Sequence, residues 1–529
     1  MSTEPDSITA GAQRSGNDQA RRWPSRPAAM VVGAALLAAA LGWLIAPRPA
    51  HLGTRTTGDA ALAQRVRDLA PDAPYQGMAV ALLEDGEVRA AGLGTTGGAD
   101  PTPVDADTPF ETGSVTKVFT GMLLADLEDA GRLRRDTRLG AVYPAVDFAD
   151  QQVAGLTLAQ LSNHRSGLPT TVPAGVGGFL RTLESTWMGA SPFDGVRPAD
   201  LLDAAASVEA GDPATPTYPN FAASLLGHAL AEHEQSTYGA LVDDRIIAPL
   251  GLRNTTIQAP DADPPAGHAR PQRSSGTRVE AWVGAGELPA GAGGLWSTAT
   301  DLARLASATR DGTAPGAAAA QPRYELTDER RVGLGWITTD HDGRTVTWHN
   351  GATDGTASFV GYSDDAAVVV LATGGPVGSR SVDSLALGLI GVESDQNTAL
   401  SSRFYPMLAM TVVLPPMAGL TFLVRARRRG RRAGQPPTDR VGLAAHAVAS
   451  ALLFAVMWRA GLWDRIPPLV WIASFAVFGA GLAIAARRWS ALPVIAAGRP
   501  WRRWGDLGLW IMAAMAYGAL LITTLRNLS

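Results

Sequence analysis

The chain of 529 residues contains no cysteine. It therefore has no disulfide framework, no thiolate nucleophile, no thiolate metal site and no cysteine for lipid attachment. Lysine is almost as rare, because Lys117 is the single lysine and every other basic residue is arginine. A guanidinium stays charged at working pH, whereas a desolvated ammonium can lose its proton. The lone lysine is thus a candidate for proton chemistry, with a chance position as the alternative.

Charge is divided unevenly along the chain. In residues 1–400, 29 basic and 46 acidic side chains give a net charge of −17, while 16 arginines and three acids give residues 401–529 a net +13. The basic part holds four uncharged apolar stretches, each close to the ~20 residues that cross a bilayer as a helix. They cover residues 404–424, 441–458, 466–486 and 507–525. We therefore predict a four-helix transmembrane region over residues 404–529.

A fifth apolar stretch covers residues 28–46 and follows a cluster of arginines. A cleavable signal peptide is one interpretation of this stretch. The run is long for a signal peptide, however, and Pro47 makes a poor cleavage site, so we favour an uncleaved membrane anchor.

The arginines between the apolar stretches predict the orientation. Six lie in residues 425–432 and five in residues 487–503, and short loops rich in arginine face the cytoplasm. We therefore predict a multi-pass protein of a bacterial cytoplasmic membrane, in contact with the lipid bilayer. Residues 1–27 would form a cytoplasmic tail and residues 47–403 an extracytoplasmic domain. Arginine runs also suit nucleic-acid binding, but between spans they are topology signals, so we expect no nucleic-acid partner.

Two hairpin patterns lie at opposite ends of the predicted extracytoplasmic domain. Residues 77–94 contain two apolar runs around Asp85-Gly86, a dipeptide that favours a tight turn. Residues 359–373 repeat the pattern around Asp364-Asp365. Helical patterns and Gly/Pro-rich loops lie between them. This order predicts an α+β domain whose sheet joins distant parts of the chain.

Ser114 lies just before the clearest amphipathic helix of this domain. Apolar residues recur at helical spacing after it, and Gly131 is placed to end the helix in the left-handed conformation. Lys117, three residues after Ser114, projects from the same face, so the two side chains can meet. A plain helix cap is the alternative role of Ser114.

Further segments carry polar side chains in a recognisable order. They are Phe110–Lys117 (FETGSVTK), Leu161–Pro169 (LSNHRSGLP), Thr217–Gly227 (TYPNFAASLLG), Pro249–Leu252 (PLGL), Ala292–Leu302 (AGGLWSTATDL) and Trp348–Ala352 (WHNGA). Together they resemble the serine β-lactamase-related family, which includes class C β-lactamases, D-Ala-D-Ala carboxypeptidases, D-aminopeptidases and esterases. The resemblance covers about residues 60–395. It implies an antiparallel sheet flanked by helices, with a helical subdomain.

The resemblance also implies residue roles. Ser114 would be the nucleophile that forms an acyl-enzyme, and Lys117 and Tyr218 are the two candidate bases. We expect the Lys117 ammonium to lower the pKa of Tyr218. Asn220 would bind Lys117 and the substrate, with helix capping as its other role.

The third motif would form the opposite wall of the site. His349 and Gly351 would contact substrate on an edge strand, and Gly351 would let the substrate approach the backbone. The oxyanion hole would use the backbone N–H groups of Ser114 and Ala352. We assign His164 to bracing a buried turn rather than to catalysis.

Two departures from the common family pattern bear on the substrate. Pro219 stands in the middle of Tyr-x-Asn, where it removes a backbone N–H. His349 stands where a typical β-lactamase has a second lysine that holds the antibiotic's carboxylate, and a neutral imidazole does that less well. We therefore predict hydrolysis of a peptide, amide or ester, for example a cell-wall D-amino-acid peptide, rather than efficient β-lactam hydrolysis.

The leading hypothesis is a membrane-anchored serine hydrolase acting on a small-molecule or peptide substrate. The alternative is a penicillin-sensing protein without turnover, or a scaffolding membrane protein with a vestigial hydrolase domain. Nucleophile, base and oxyanion donors all come from the protein, so no cofactor is expected. No acid–histidine spacing typical of metal sites is present, so no metal is expected either.

Overall fold

The computed structural model of the protein describes most of the chain. The described residues are 26–71, 74–84, 86–170, 172, 191, 197–212, 218–258, 262–273, 275–282, 291–327, 329–374, 382–392, 404–428, 438–463 and 465–495. The predicted cytoplasmic tail up to residue 25 and the predicted span 507–525 lie outside them. We call residues 47–392 the central domain.

Twelve β-strands are described, all in the central domain. They are β1 Thr56–Gly58, β2 Gly77–Glu84, β3 Glu87–Gly94, β4 Phe110–Glu111, β5 Thr256–Ile257, β6 Leu295–Ser297, β7 Tyr324–Thr327, β8 Arg330–Val332, β9 Ile337–His341, β10 Arg344–Ala352, β11 Thr356–Tyr362 and β12 Ala366–Thr373. Nine of them form an antiparallel sheet in the order β1-β3-β2-β12-β11-β10-β9-β8-β7, and the others form a small sheet in the order β4-β6-β5.

Both predicted hairpins are confirmed. Strands β2 and β3 pair antiparallel with Glu84 opposite Glu87, and only the Asp-Gly dipeptide lies between these two residues in the sequence. Strands β11 and β12 pair in the same way. Strand β12 also pairs with β2 along its whole length. This pairing joins the two ends of the domain, as the α+β prediction requires.

Helices surround the sheet, and further long helices lie outside the central domain on either side of it in the sequence. They are α1 Arg26–Leu44, α2 Ala60–Leu69, α3 Thr116–Asp129, α4 Leu139–Val142, α5 Gln151–Ala154, α6 Leu158–Ser162, α7 Pro198–Ser207, α8 Asn220–Glu234, α9 Tyr238–Val242, α10 Ala248–Leu250, α11 Ala299–Arg310, α12 Val382–Leu389, α13 Phe404–Arg427, α14 Arg440–Ala460 and α15 Pro468–Arg488. A π-helical turn, Asp243–Ile247, connects α9 to α10, and short 3₁₀ turns cover Gly113–Val115, Ala317–Ala320 and Trp489–Ala491.

The central strands are apolar on both faces because helices cover both. On β2, Val80 and Leu82 face a core shared with α2 and α12, whereas Ala79 and Ala81 face a larger core that contains α3, α8 and α11. Successive side chains of a strand point to opposite faces. The small alanines on the second face leave room for the helices that carry the candidate site.

A short strand, β6, lies between the glycines at 293–294 and helix α11. Trp296 of β6 is fully buried. The strand forms because Trp296 pairs with both β4 and β5, which are distant in sequence.

Four described helices are long and apolar enough to cross a membrane. These segments are Pro27–Leu44, Leu408–Arg427, Arg440–Arg459 and Pro468–Ala491. They match four of the five predicted spans to within a few residues. The first packs closely on the last, since a Cβ at Gly479 would lie 2.3 Å from the Cβ of Ala38. Small residues allow this backbone approach, as they do between helices in membranes.

Candidate active site

The candidate nucleophile lies on a tight turn between β4 and α3. Ser114 is the central residue of the 3₁₀ turn, and Gly113 before it has a φ of +54°. Only glycine adopts this conformation routinely. A Cβ at Gly113 would also lie 2.7 Å from the carbonyl oxygen of Ala352. The glycine therefore lets the turn pack directly against β10.

Gly351 serves the same close approach from the other side. A Cβ at Gly351 would lie 2.0 Å from the carbonyl oxygen of Thr112 and 2.9 Å from the backbone nitrogen of Ser114. The turn that carries Ser114 thus fills the space beside Gly351 where a side chain would lie. Gly351 is required for the assembly of the site, and its contact with substrate stays a prediction.

Lys117 lies in the first turn of α3 and is only 3% exposed. Its Nζ donates hydrogen bonds to Ser114 Oγ at 2.8 Å, to Asn220 Oδ1 at 2.7 Å and to the carbonyl oxygen of Ala292 at 3.4 Å. Burial lowers the pKa of Lys117 to about 7. A substantial fraction of the side chain is therefore a neutral amine at neutral pH, in contact with the Ser114 hydroxyl.

Tyr218 lies over the lysine, just before α8. Its ring centroid is 4.6 Å from Lys117 Nζ, and the residue is 39% exposed. Burial raises the pKa of Tyr218 to about 12, opposed by a hydrogen bond with the Ser114 side chain. The partial exposure of Tyr218 moderates that burial effect, but burial outweighs the opposing hydrogen bond and the pKa stays above its ordinary value. The expectation that the ammonium lowers the pKa of Tyr218 is therefore not supported.

Asn220 is the first residue of α8, and Pro219 occupies the capping position without a side-chain bond to the helix. The side-chain oxygen of Asn220 accepts from Lys117 instead. Its backbone N–H donates to the carbonyl oxygen of Thr170 at 3.0 Å. The first contact joins the start of α8 to the lysine, and the second fixes it to Thr170.

His349 is fully buried on the face of β10 that points toward the site. Its Nδ1 donates to the carbonyl oxygen of Asn350, so Nε2 carries no proton in the neutral ring. Burial, followed by Lys117 and His164, lowers the pKa of His349 to about 3. The ring is thus neutral throughout the physiological range. Its Nε2 has no hydrogen-bond partner among the described residues.

Strand β10 was expected at a sheet edge, and the structure corrects this, because β9 and β11 flank it. Strand β9, however, pairs with β10 only as far as Trp348. Thr353 N donates to Thr356 O toward β11. Since successive N–H groups alternate in direction along an antiparallel strand, the N–H of Ala352 points away from β11, to the side that β9 does not reach.

His164 belongs to the site more closely than sequence reasoning suggested. It has a φ of 64°, which fits the predicted role in a turn. Its ring centroid also lies 4.7 Å from that of Tyr218. Burial and the nearby Lys117 lower the pKa of His164 to about 4. The residue therefore braces a turn and forms one wall of the site as a neutral ring.

Glu111 was given no role from sequence, although it lies three residues before Ser114. It is 1% exposed, and burial raises its pKa to about 8. Its Oε1 accepts from the backbone N–H of Trp282 at 2.5 Å, and its side chain also bonds that of Thr353. Its place three residues before the candidate nucleophile was the available signal.

Metal ligands do not converge in this region. In the described parts of the chain, no three side chains of His, Asp or Glu come close enough to hold a metal ion. The arrangement instead brings a hydroxyl, an amine, a phenol and backbone N–H groups together, which suits acyl transfer.

Comparison with known proteins agrees with this chemistry. The beta-lactamase family model matches residues 62–391, well over half of the chain, so the chain belongs to the beta-lactamase family. Penicillin-binding protein 4 of Amycolatopsis lactamdurans is 29% identical over 338 residues, or 60% of this chain and 85% of that protein. A beta-lactamase of Escherichia coli is 29% identical over 279 residues, or 50% of this chain and 66% of that protein.

The fold is also shared with solved structures. A beta-lactamase/D-alanine carboxypeptidase from Pseudomonas syringae superimposes with a TM-score of 0.51 at 21% identity, covering 60% of this chain and 94% of that one. Members of this family are typically serine hydrolases. The predicted family and fold are therefore confirmed.

Proposed function

We propose that the protein is a membrane-anchored serine hydrolase that works through an acyl-enzyme on Ser114. The observation that carries the proposal is the 2.8 Å hydrogen bond between Ser114 Oγ and Lys117 Nζ. A serine hydroxyl is a weak nucleophile unless a base removes its proton. A buried amine with a pKa near 7 is a suitable base at neutral pH.

In the proposed acylation step, Lys117 Nζ takes the proton of Ser114 Oγ as that oxygen attacks the substrate carbonyl carbon. The oxyanion then lies between the N–H groups of Ser114 and Ala352. Each such donor contributes about 3 kcal/mol in the transition state. The bond to the leaving group breaks as the leaving group accepts a proton from the Lys117–Tyr218 pair. In deacylation, a water molecule gives a proton to the same base as it attacks the acyl carbon, and Ser114 leaves and regains its proton.

Between the two candidate bases, the environment favours Lys117. The pKa of Tyr218 is raised to about 12 and that of Lys117 is lowered to about 7. Between these pH values the phenol keeps its proton while the amine has lost its own. Tyr218 is better suited to pass a proton to the leaving group. The two groups share Ser114, so they titrate as a coupled pair.

We further propose an amide, peptide or ester without a carboxylate beside the scissile bond as substrate. The neutral, buried ring of His349 supports this, because it offers an acceptor and no cation. Two forms of one peptide test this directly. In one form the carboxyl group beside the scissile bond is an ester, and in the other it is a free carboxylate. We expect the ester to react faster, and His349→Lys to shift the ratio toward the free acid. A free acid preferred by the native protein would contradict the substrate class.

Labelling of the full chain in detergent tests the hydrolase proposal. A fluorescent fluorophosphonate should label the native protein and the control Ser236→Ala, an exposed serine. It should not label Ser114→Ala. Equal labelling of Ser114→Ala would refute the assignment. Labelling followed by no measurable turnover of any ester or amide would instead support the non-turnover sensor.

The placement of the helices supports the proposed topology. Arg487 Nη1 donates to the carbonyl oxygen of Pro27, and Arg440 Nε donates to that of Trp489, so the arginine-rich helix ends share one side. At the opposite side, Trp458 Nε1 donates to the carbonyl oxygen of Ile45. With arginines on the cytoplasmic side, the central domain would lie outside. A reporter fused after Ser529 should then report an exterior position, and a cytoplasmic signal would contradict five spans.

A further inference from the structure

We propose that Arg459, at the end of α14 next to the central domain, is a positioning residue for the active site. It would act through the segment 269–282, which we call the docking segment, and through the β10–β11 turn that follows Ala352. The inference rests on the proposed function for its kinetic consequence. Its structural consequence is independent of that function. On this view, the membrane region completes the central domain as well as anchoring it.

The first step is a direct contact between α14 and the docking segment. Thr277 Oγ1 donates to the carbonyl oxygen of Arg459 at 3.1 Å, and Arg273 Nη1 donates to the same oxygen at 3.5 Å. In return, Arg459 Nη2 donates to the carbonyl oxygen of Arg278 at 3.3 Å. Arg459 is only 8% exposed. An arginine at a membrane helix end would ordinarily reach water or headgroups, so its burial in protein marks a built contact.

The electrostatics of this contact are mixed. The like charge of Arg273 acts against the charge of Arg459, whereas Glu280 favours it. Asp354, in the β10–β11 turn, favours the charge of Arg273. The hydrogen bonds therefore define the contact, and Asp354 adds an electrostatic link between the docking segment and that turn.

The second step joins the docking segment to the β10–β11 turn. Gln272 N donates to the carbonyl oxygen of Gly355 at 3.2 Å. A Cβ at Gly355 would lie 2.4 Å from Gln272 N and 2.6 Å from Val279 Cγ2, so the two backbones are in close contact. A shift of the docking segment must therefore move this turn.

The third step joins the turn to the reacting groups. Ala352, a proposed oxyanion donor, directly precedes Thr353 in this turn. The Thr353 side chain bonds Glu111, and Glu111 also accepts from Trp282 of the docking segment. The segment thus holds the chain on both sides of the proposed oxyanion hole, through Glu111 before Ser114 and through Gly355 after Ala352.

The docking segment is held by loop contacts rather than by a strand ladder. An isolated bridge pairs Gln272 with Arg278, and the backbone nitrogens of Ala269 and Arg270 donate to the carbonyl oxygens of Pro109 and Thr96. Part of the segment, including Arg278 and Glu280, lines a cavity of about 540 Å³. The contacts with Arg459 are added to these bonds between Arg273 and Arg278.

Two variants of the full chain in lipid nanodiscs test the proposal, Arg459→Ala from the membrane side and Thr277→Val from the central domain. Arg440→Ala is the matched control, because it removes an arginine from the other end of α14 that also bonds two carbonyl oxygens. We expect Arg459→Ala to slow acylation of Ser114 about tenfold, with the Kd of the probe changed less than about twofold, as for a small misplacement of reacting groups. Thr277→Val should act in the same direction, and Arg440→Ala should stay within about twofold.

Hydrogen exchange separates this proposal from the hydrolase proposal. Faster exchange in residues 272–282 and 353–356 of Arg459→Ala, but not of Arg440→Ala, would support the positioning role even if no acylation occurred. Unchanged exchange together with an unchanged acylation rate would overturn it. If Arg459→Ala does not fold, the same two measurements on Thr277→Val decide the outcome. Equal effects of Arg459→Ala and Arg440→Ala would also overturn it, since they would indicate general loss of α14.

Discussion

Replacing Asn220 by aspartate should move the pH dependence of acylation without removing any group that reacts. In the native protein, acylation should rise with pH as Lys117 loses its proton, with a midpoint near the pKa of about 7. His164 and His349, with pKa values of about 4 and 3, stay neutral over this range. Tyr218, at about 12, stays protonated. A single ascending limb is therefore expected between pH 5 and 9.

The size of the shift follows from the contact distance. Asn220 Oδ1 lies 2.7 Å from Lys117 Nζ, so a carboxylate there would form a close ion pair. Unit charges at 4 Å interact by about 4 kcal/mol at the effective dielectric of such sites, and one pKa unit corresponds to about 1.4 kcal/mol. The carboxylate favours the charged ammonium and raises the pKa of Lys117. We expect a rise of two to three pH units, and a rate at pH 7 lower by about a hundredfold.

The assay is the second-order rate of Ser114 labelling across pH, with Asn220→Ala as the control that removes the acceptor without adding charge. The alanine variant should not shift the midpoint of the ascending limb to higher pH. The aspartate variant should regain most of the native rate about one pH unit above its raised midpoint. An aspartate profile with its midpoint still near 7, or a native midpoint above 9, would show that Lys117 is not the base.

Three further predictions follow from single contacts. Lys117→Arg should reduce labelling by at least about a thousandfold while the folded state is retained by circular dichroism, because a guanidinium cannot act as base; labelling at a tenth of the native rate would contradict the mechanism. Gly351→Ala should lower the Tm and abolish labelling, since its Cβ would lie 2.0 Å from Thr112 O and such overpacking costs about 1–3 kcal/mol. Gly239→Ala, whose Cβ would meet ordinary contacts at 3.8 Å, should be tolerated, and equal losses in both would refute the steric argument. Finally, the pKa of Glu111 is raised to about 8, so the folded state holds a proton that the unfolded chain releases above about pH 4.5, and the native protein should lose stability between about pH 5 and 8. Glu111→Gln should reduce that loss in thermal unfolding across pH, and an unchanged slope would show that Glu111 titrates normally.

The parts of the fold that local patterns encode could be predicted from the sequence. The hairpin of β2 and β3 is marked by one Asp-Gly dipeptide between two apolar runs, and the pairing of Ser114 with Lys117 follows from helical spacing. The four long apolar helices follow from length and absence of charge, since the predicted ends lie within a few residues of those of α1, α13, α14 and α15. Each of these features depends on neighbours in the sequence.

The features that could not be predicted depend on contacts between distant segments. Sequence order does not show that the ring of His164 reaches Tyr218, or that Thr112 fills the space beside Gly351. The direction of the Tyr218 pKa shift was wrong for a related reason. A neighbouring ammonium is visible in the motif, but the burial that outweighs it, and that also lowers the pKa of Lys117, is a property of the packed domain.

The surroundings of Lys117 also determine where its lone pair points. An ammonium has three N–H donors, and three oxygens accept them, those of Ser114, Asn220 and Ala292. When the amine loses its proton, it keeps two donors and gains one acceptor site. The amide oxygen of Asn220 and the carbonyl oxygen of Ala292 have no proton to donate, whereas the Ser114 hydroxyl has one. The two carbonyl-type contacts therefore retain the N–H groups, and the lone pair faces Ser114, which is the geometry that removal of the serine proton requires.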